Sequence, residues 1–478
     1  MKVLFASSEA APFFKSGGLG DVAYALPKEL VKQGVDIRVV LPNYTKMPEK
    51  YKNQLTELAH FRFQLSNKNV YCGIKTLELE GVIYYFIDNL SYFDRRDLYG
   101  EWDDGERFAY FSTAIIEMLE VIDFIPDIVH CNDWQTAMVP VLLVDRYHWK
   151  ERLQNIRKVL TIHNIRFQGN YEPNILTQVF GTNFNTFTDD GVKYDDRVNY
   201  LKGGINFSDR VTTVSPTYAQ EIMTPEFGEG LDAVIRHNQW KVRGIINGID
   251  YDTNNPETDT LIPNHFSVND MAGKKSNKLA LQQRLGLAEN PNIPIIGMVS
   301  RLTDQKGFQL IEEKLDELLK QDVQVVLLGT GEAQFENSFR FFEDVYHDKM
   351  RACIMFDIEL AQLIYAGSDI FLMPSAFEPC GLSQMMSMRY GTLPIVHETG
   401  GLVDTVRPYN RFTSEGTGFS FAPFDAWTMM NVIYLALDVY YNNQEDWQKL
   451  VKQAMTTDFS WEGPAQDYIR LYEELLAE

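Results

Sequence analysis

Val3-Leu4-Phe5-Ala6 followed by Lys15-Ser16-Gly17-Gly18-Leu19-Gly20 reads as an apolar strand, a glycine loop and the start of a helix. Its glycines let the backbone come close to a phosphate that a Cβ would repel, and the helix behind it presents N-terminal amides. A Gly-Gly-x-Gly segment after a strand is also the mark of an ordinary tight turn, so it does not decide the matter alone. The same grammar recurs far along the chain, where Ile295-Ile296-Gly297-Met298-Val299-Ser300 runs into Arg301-Leu302-Thr303-Asp304-Gln305-Lys306-Gly307. Loop packing needs neither Arg301 nor Lys306, whereas a pyrophosphate benefits from both, at about 1.5–3 kcal/mol for each charge-assisted bond. Two such half-sites imply two domains facing across a cleft, with a diphosphate held between them.

Between and beyond these loops, short apolar runs alternate with helix-length segments. Strands are expected at 35–41, 82–87, 127–130, 158–162 and 210–214, then at 293–300, 323–328, 370–373 and 393–396. Apolar runs separated by amphipathic helices read as βαβ units, and hence as mainly parallel sheets covered on both faces. The fold class expected is α/β, with two Rossmann-like doubly wound domains. The polar, turn-rich stretch from Asn247 to Asp259 interrupts the rhythm and carries the boundary. The expected domains are residues 1–250 and 251–460, with 461–478 forming a helix that crosses back to the first.

With 478 residues, 45% of them hydrophobic, the chain exceeds what one core supports. The net charge of −22 disfavours nucleic acid or an anionic membrane as partner, so an anionic ligand needs a local basic cluster, while a neutral glucan is indifferent to it. The N-terminal apolar run is too short for a signal peptide, no stretch approaches a membrane span, and a cytoplasmic location is expected. Cys72, Cys131, Cys353 and Cys380 show no CxxC spacing, and no His/Asp/Glu cluster has metal-ligand spacing, so neither disulfide nor metal is expected.

In open parallel sheets ligands bind beyond the carboxyl ends of strands. Asp133 and Trp134 follow one expected strand there, and His163 and Asn164 follow another. Asp133 also fits a helix N-cap, and His163 also fits a histidine satisfied by its own loop. Glu378-Pro379-Cys380-Gly381-Leu382-Ser383-Gln384 leads into an expected helix over 382–390, capped by Gly391. Its first amides suit an anion while Glu378 faces the cleft. Cys380 reads as a packed small residue, because no histidine accompanies it to activate a thiolate.

Taken together, these segments resemble the bacterial glycogen synthase and plant starch synthase family. The likeness also covers Ser8-Glu9-Ala10-Ala11-Pro12, Val214-Ser215-Pro216-Thr217-Tyr218, Asn247-Gly248-Ile249-Asp250 and Thr399-Gly400-Gly401-Leu402, and so nearly the whole chain. The resemblance implies a GT-B fold and transfer of glucose from ADP-glucose to the nonreducing-end 4-hydroxyl of an α-1,4-glucan, with retention and without a cofactor or metal. It implies that Lys15, Gly17, Gly18 and Asp21 lie beside the sugar nucleotide and that Arg301 and Lys306 hold its phosphates. Asp133, His163 and Asn164 would line the glucose pocket, Glu378 would contact glucose hydroxyls, and Cys380, Gly381, Leu382 and Ser383 would lie at the distal phosphate. Three positions depart from the family pattern: Gln135, Asn254 and His397, where His, Trp and Arg are common. A UDP-glucose-dependent or small-acceptor transferase, or a glucan and nucleotide binder with weak turnover, stays open. A dinucleotide oxidoreductase is disfavoured, since the glycine spacing is not GxGxxG.

Overall fold

Val3, Leu4, Phe5 and Ala6 are completely buried, because β1 (Lys2–Ala6) is the middle strand of a nine-stranded sheet. The computed structural model describes residues Met1–Glu478, and the chain divides into two units: Met1–Asn247 with Trp461–Glu478, and Gly248–Ser460. In the first unit β1 is followed by β2 (Asp36–Pro42), β3 (Thr56–Leu65), β4 (Lys68–Leu79), β5 (Val82–Asp88), β6 (Ile128–Asn132) and β7 (Arg157–Ile162). The short β8 (Asn170–Tyr171), β9 (Lys193–Tyr194) and β10 (Arg197–Asn199) form a separate small sheet, and β11 (Arg210–Thr213) and β12 (Val242–Gly244) complete the large one.

The large sheet has the order β12-β11-β7-β6-β1-β2-β5-β4-β3, parallel from β12 to β5 and antiparallel at β4 and β3. The chain leaves β1 towards β2 on one side and returns as β6 on the other. The loop after β1 therefore sits at the topological switch point, where open α/β sheets bind ligands. The β3–β4 ribbon escapes the apolar-run reading because β3 is an edge strand with most of its residues exposed.

The second unit contains β13 (Ile295–Val299), β14 (Gln324–Leu328), β15 (Met350–Cys353), β16 (Ile370–Met373), β17 (Leu393–His397) and β18 (Phe419–Phe421). They form a wholly parallel sheet in the order β15-β14-β13-β16-β17-β18, with its switch point at β13.

The units divide at Asn247/Gly248 rather than after residue 250. Gly248, Ile249 and Asp250 belong to the second unit because Ile249 N donates to Phe459 O at 2.8 Å, and a Cβ on Gly248 would lie 2.7 Å from Ser460 O. The last helix, Glu462–Ala477, packs within the first unit by burying Tyr468, Tyr472 and Leu475. Tyr472 OH also meets Nδ1 of the fully buried His130 at 2.5 Å. No helix is long and apolar enough to cross a membrane.

Candidate active site

In the first unit the loop after β1 folds around a side chain that the glycine pattern does not reveal. Glu9, 2% exposed, receives Ser16 N at 3.1 Å and Ser16 Oγ at 2.6 Å on Oε2, and Gly17 N at 3.2 Å and Gly20 N at 3.0 Å on Oε1. The amides of Ser16, Gly17 and Gly20 are thus bound internally, which corrects the expectation of a whole loop open to phosphate. Gly18 and Leu19, at the start of the helix Gly18–Lys32, have amides without a hydrogen bond inside the chain, and Gly18 is exposed. A Cβ on Gly20 would lie 2.4 Å from the Cβ of Lys15, so the turn requires glycine there. Lys15 pairs with Asp21 at 2.8 Å on the open side of the loop.

Asp133 and His163 follow the neighbouring strands β6 and β7. Asp133 has φ 57°, a left-handed conformation that Asp tolerates better than most residues. Its N–H donates to Thr161 O at 2.9 Å, and its Oδ1 accepts His163 N at 2.7 Å. Desolvation pushes its pKa up to about 7; the amides of His163 and Asn164 act downward, and the charge of Glu9 adds to the rise. Desolvation also lowers the His163 pKa to about 3, so its imidazole is neutral. Nε2 faces Asn132 Oδ1 at 2.9 Å, and Asn132 Nδ2 donates to Ala6 O, which fixes that oxygen as the acceptor. The ring proton is therefore on Nε2 and Nδ1 remains an acceptor. Asn164 turns its Oδ1 onto Arg166 N at 3.0 Å, closing the loop beside His163.

The second unit brings its expected residues together at the ends of β13 and β16. Leu302 is fully buried and its N–H donates to Thr330 O at 2.9 Å, which anchors the loop that carries Arg301 and Lys306. Gly307 has φ 78°, and a Cβ there would lie 2.0 Å from Pro374 O, so the close approach of this loop to the one after β16 requires glycine at that position. Across that contact Lys306 Nζ donates to Glu378 Oε2 at 2.7 Å, and Ser375 Oγ donates to the same oxygen at 2.9 Å. Glu378 Oε1 has no partner within the chain. Arg301 is exposed and makes no ion pair. Cys380 is 4% exposed and packed, Gly381 turns with φ 76°, and Leu382 precedes the helix Ser383–Arg389, one residue shorter at each end than expected. Ser383 Oγ lies 3.2 Å from Tyr365 OH.

Residues 2–237 match the family described as starch synthase catalytic domain, and residues 281–454 match glycosyl transferases group 1. The chain is 54% identical to the glycogen synthase of Streptococcus mutans, over 99% of its own length and 100% of that protein. It belongs to the glycogen synthase family. The glycogen synthase of Ligilactobacillus salivarius is also 54% identical, over the whole of both chains. Among solved structures, the catalytic domain of starch synthase IV from Arabidopsis thaliana, bound to ADP and acarbose, superposes with a TM-score of 0.94 at 38% identity, covering 100% of this chain and 99% of that one. A sucrose-phosphate synthase from Thermosynechococcus elongatus, 18% identical with a TM-score of 0.60, shares the fold. The chain is thus a glycosyltransferase of the glycogen synthase family, with the GT-B class of fold made from two Rossmann-like units.

Two residues of this glycogen synthase family member escaped the reading of loops and charges. Glu9 is one; its signal was a lone acid three residues past the end of β1 and eight residues ahead of Gly17. The other is Phe356, which stands just past β15 with 82% of its surface exposed, beside Met355 at 48% and Ile358 at 58%. An aromatic ring so bare at the carboxyl edge of a parallel sheet offers a stacking face, yet in sequence it is one phenylalanine among 30.

Proposed function

We propose that this chain transfers glucose from ADP-glucose to the 4-hydroxyl at the nonreducing end of an α-1,4-glucan, with retention of configuration and release of ADP. The observation that carries the reading is the Arg301, Lys306 and Glu378 group at the ends of β13 and β16. A starch synthase with ADP bound, similar over the full length, supports the choice of nucleotide. Arg301 and Lys306 take the diphosphate, and their contacts strengthen as charge develops on the leaving ADP. The exposed Gly18 amide faces the donor beside Lys15, Gly17 and Asp21, and Cys380 to Ser383 line the distal phosphate. Phe356 gives the adenine a ring to stack on. No metal is required in this reading, because the two cations and the backbone amides neutralise the diphosphate. The enzyme works in the cytoplasm, where sugar nucleotides are made.

Glu378 serves the sugar. Its Oε2 is held by Lys306 and Ser375, and Oε1 accepts a glucose hydroxyl, which suits it to grip the ring rather than attack the anomeric carbon. Asp133, the neutral His163 and Asn164 line the glucose pocket, with Nδ1 of His163 as acceptor. Retention then proceeds by attack of the acceptor on the face that ADP leaves. A glycosyl adduct isolated on Glu378 or Asp133 would replace this with a double displacement.

The test is transfer of labelled glucose from ADP-glucose and from UDP-glucose onto glycogen, in chelator, with Lys306→Ala as control. Transfer from ADP-glucose that collapses in the control is expected. Preference for UDP-glucose, or no transfer at all, would overturn the reading.

A further inference from the structure

Glu9 does more than close its own loop. Besides the four donors from Ser16, Gly17 and Gly20, its Oε2 receives Tyr99 OH at 2.9 Å, making five donors around one buried carboxylate. The nearest cation in the loop, Lys15, is engaged by Asp21 instead. Hydrogen bonds and the positive end of the helix Gly18–Lys32 therefore compensate the carboxylate, and its acceptor-only form matches the five donors.

Tyr99 belongs to a different loop, residues 94–103, and that loop is fixed on both sides of it. Arg107, fully buried, donates through Nη1 to Leu98 O at 3.1 Å and pairs with Asp104 at 2.7 Å. Asp104 Oδ2 in turn accepts Gly100 N at 2.8 Å. Arg95 and Asp103 close the base of the loop at 2.6 Å. Tyr99 OH donates to Glu9, so Ser8 Oγ, 2.7 Å away, donates to Tyr99. The 94–103 loop and the Lys15–Gly20 loop thus share the Glu9 carboxylate.

We propose that Glu9 is a positioning residue of this glycosyltransferase: its carboxylate is the resident anion of the Ser16–Gly20 amides and, through Tyr99, sets the Lys15 loop and the 94–103 loop in one arrangement. The proposal rests on the transferase reading for its kinetic consequences, but not for its structural ones. Glu9→Gln keeps the shape and replaces one acceptor oxygen by a donor facing donors, on whichever side the amide turns. Glu9→Ala instead leaves a hole that formate fits. Tyr99→Phe removes the link between the loops, along with the Ser8 bond to the phenol, and leaves the Glu9 carboxylate and its amide donors in place.

The experiment combines transfer kinetics with amide hydrogen exchange on the full chain. Misplaced loops lower kcat about 100-fold in Glu9→Gln and Glu9→Ala. Formate restores turnover to Glu9→Ala and does nothing for Glu9→Gln, whose amide already fills the site; general loss of folding would show no such selectivity. Exchange rises in both 15–20 and 94–103 in the Glu9 variants, and in 94–103 alone in Tyr99→Phe, with the β1 and β6 amides unchanged. Wild-type turnover in Glu9→Gln, or exchange confined to 15–20 in the Glu9 variants, would overturn the proposal. If the wild type itself transfers no glucose, the transferase reading fails, and the exchange pattern decides the fate of the Glu9 link by itself.

Discussion

The Lys306 to Glu378 pair shows how one contact serves two ends. With side-chain exposures of 18% and 8%, it is nearly dry, and removing the lysine strands a carboxylate that Ser375 alone must satisfy. Lys306→Ala should cost about 2 kcal/mol of stability, less than a fully buried pair because the lysine keeps some water. Adding Glu378→Gln should recover the melting temperature while transfer stays lost; a double variant no more stable than the single one would contradict this. Asp133 gives a pH-dependent prediction. Its pKa is raised in the folded chain to about 7 from an ordinary value near 3.8, so the unfolded state releases its proton first as pH rises. Stability is therefore lost between about pH 4 and pH 7, and stays lost above. Asp133→Asn cannot ionise, and its melting temperature relative to wild type should improve from pH 5 to pH 8. A difference that is flat with pH would refute the assignment. The placement of Arg301, Lys306, His163 and Glu378 beyond strand ends was legible in sequence because each follows an apolar run. Glu9 was not, since its role depends on three amides and a phenol that only the folded loops bring together.

Elements are placed by contacts that the pattern of apolar residues only partly encodes. The parallel strands were legible because burial on both faces writes itself as an apolar run, as in β1, β13 and β14. The β3–β4 ribbon was not, because its exposed residues give no such run. The join between the helices Ile358–Gly367 and Ser383–Arg389 was equally hidden. Lys274 Nζ donates there to Ala366 O at 3.1 Å, Tyr390 O at 2.8 Å and Thr392 Oγ1 at 2.9 Å, so one ammonium caps the ends of both helices. Lys274→Met keeps the stem and leaves those carbonyls unpaired, at a cost of about 3 kcal/mol. Chemical denaturation should show that loss, and an unchanged midpoint would mean that the carbonyls find other donors.

At the scale of the whole chain, the tail closes the first unit. Tyr468, Tyr472 and Leu475 are buried within the first unit, and His130 depends on Tyr472 for one of its ring hydrogen bonds. A chain ending at Ser460 should lose several degrees from the first thermal transition and bind a hydrophobic dye, while the second unit melts as before. Two coincident, unshifted transitions would show that the helix is dispensable. The domain rhythm was legible from the alternation of runs, but the tail's destination was not, because an amphipathic helix does not say which apolar face it will cover.

That tail also orders events during synthesis. The second unit is one continuous segment, Gly248–Ser460, whereas the first begins at Met1 and is completed only by Trp461–Glu478. Domains usually fold in the order in which they leave the ribosome. Here the sheet built first must wait, with the surface around His130 uncovered, until the last turns emerge, and the unit made second is the first able to finish. Newborn chains of this enzyme are therefore exposed to chaperones and proteases longest at the surface that Trp461–Glu478 covers.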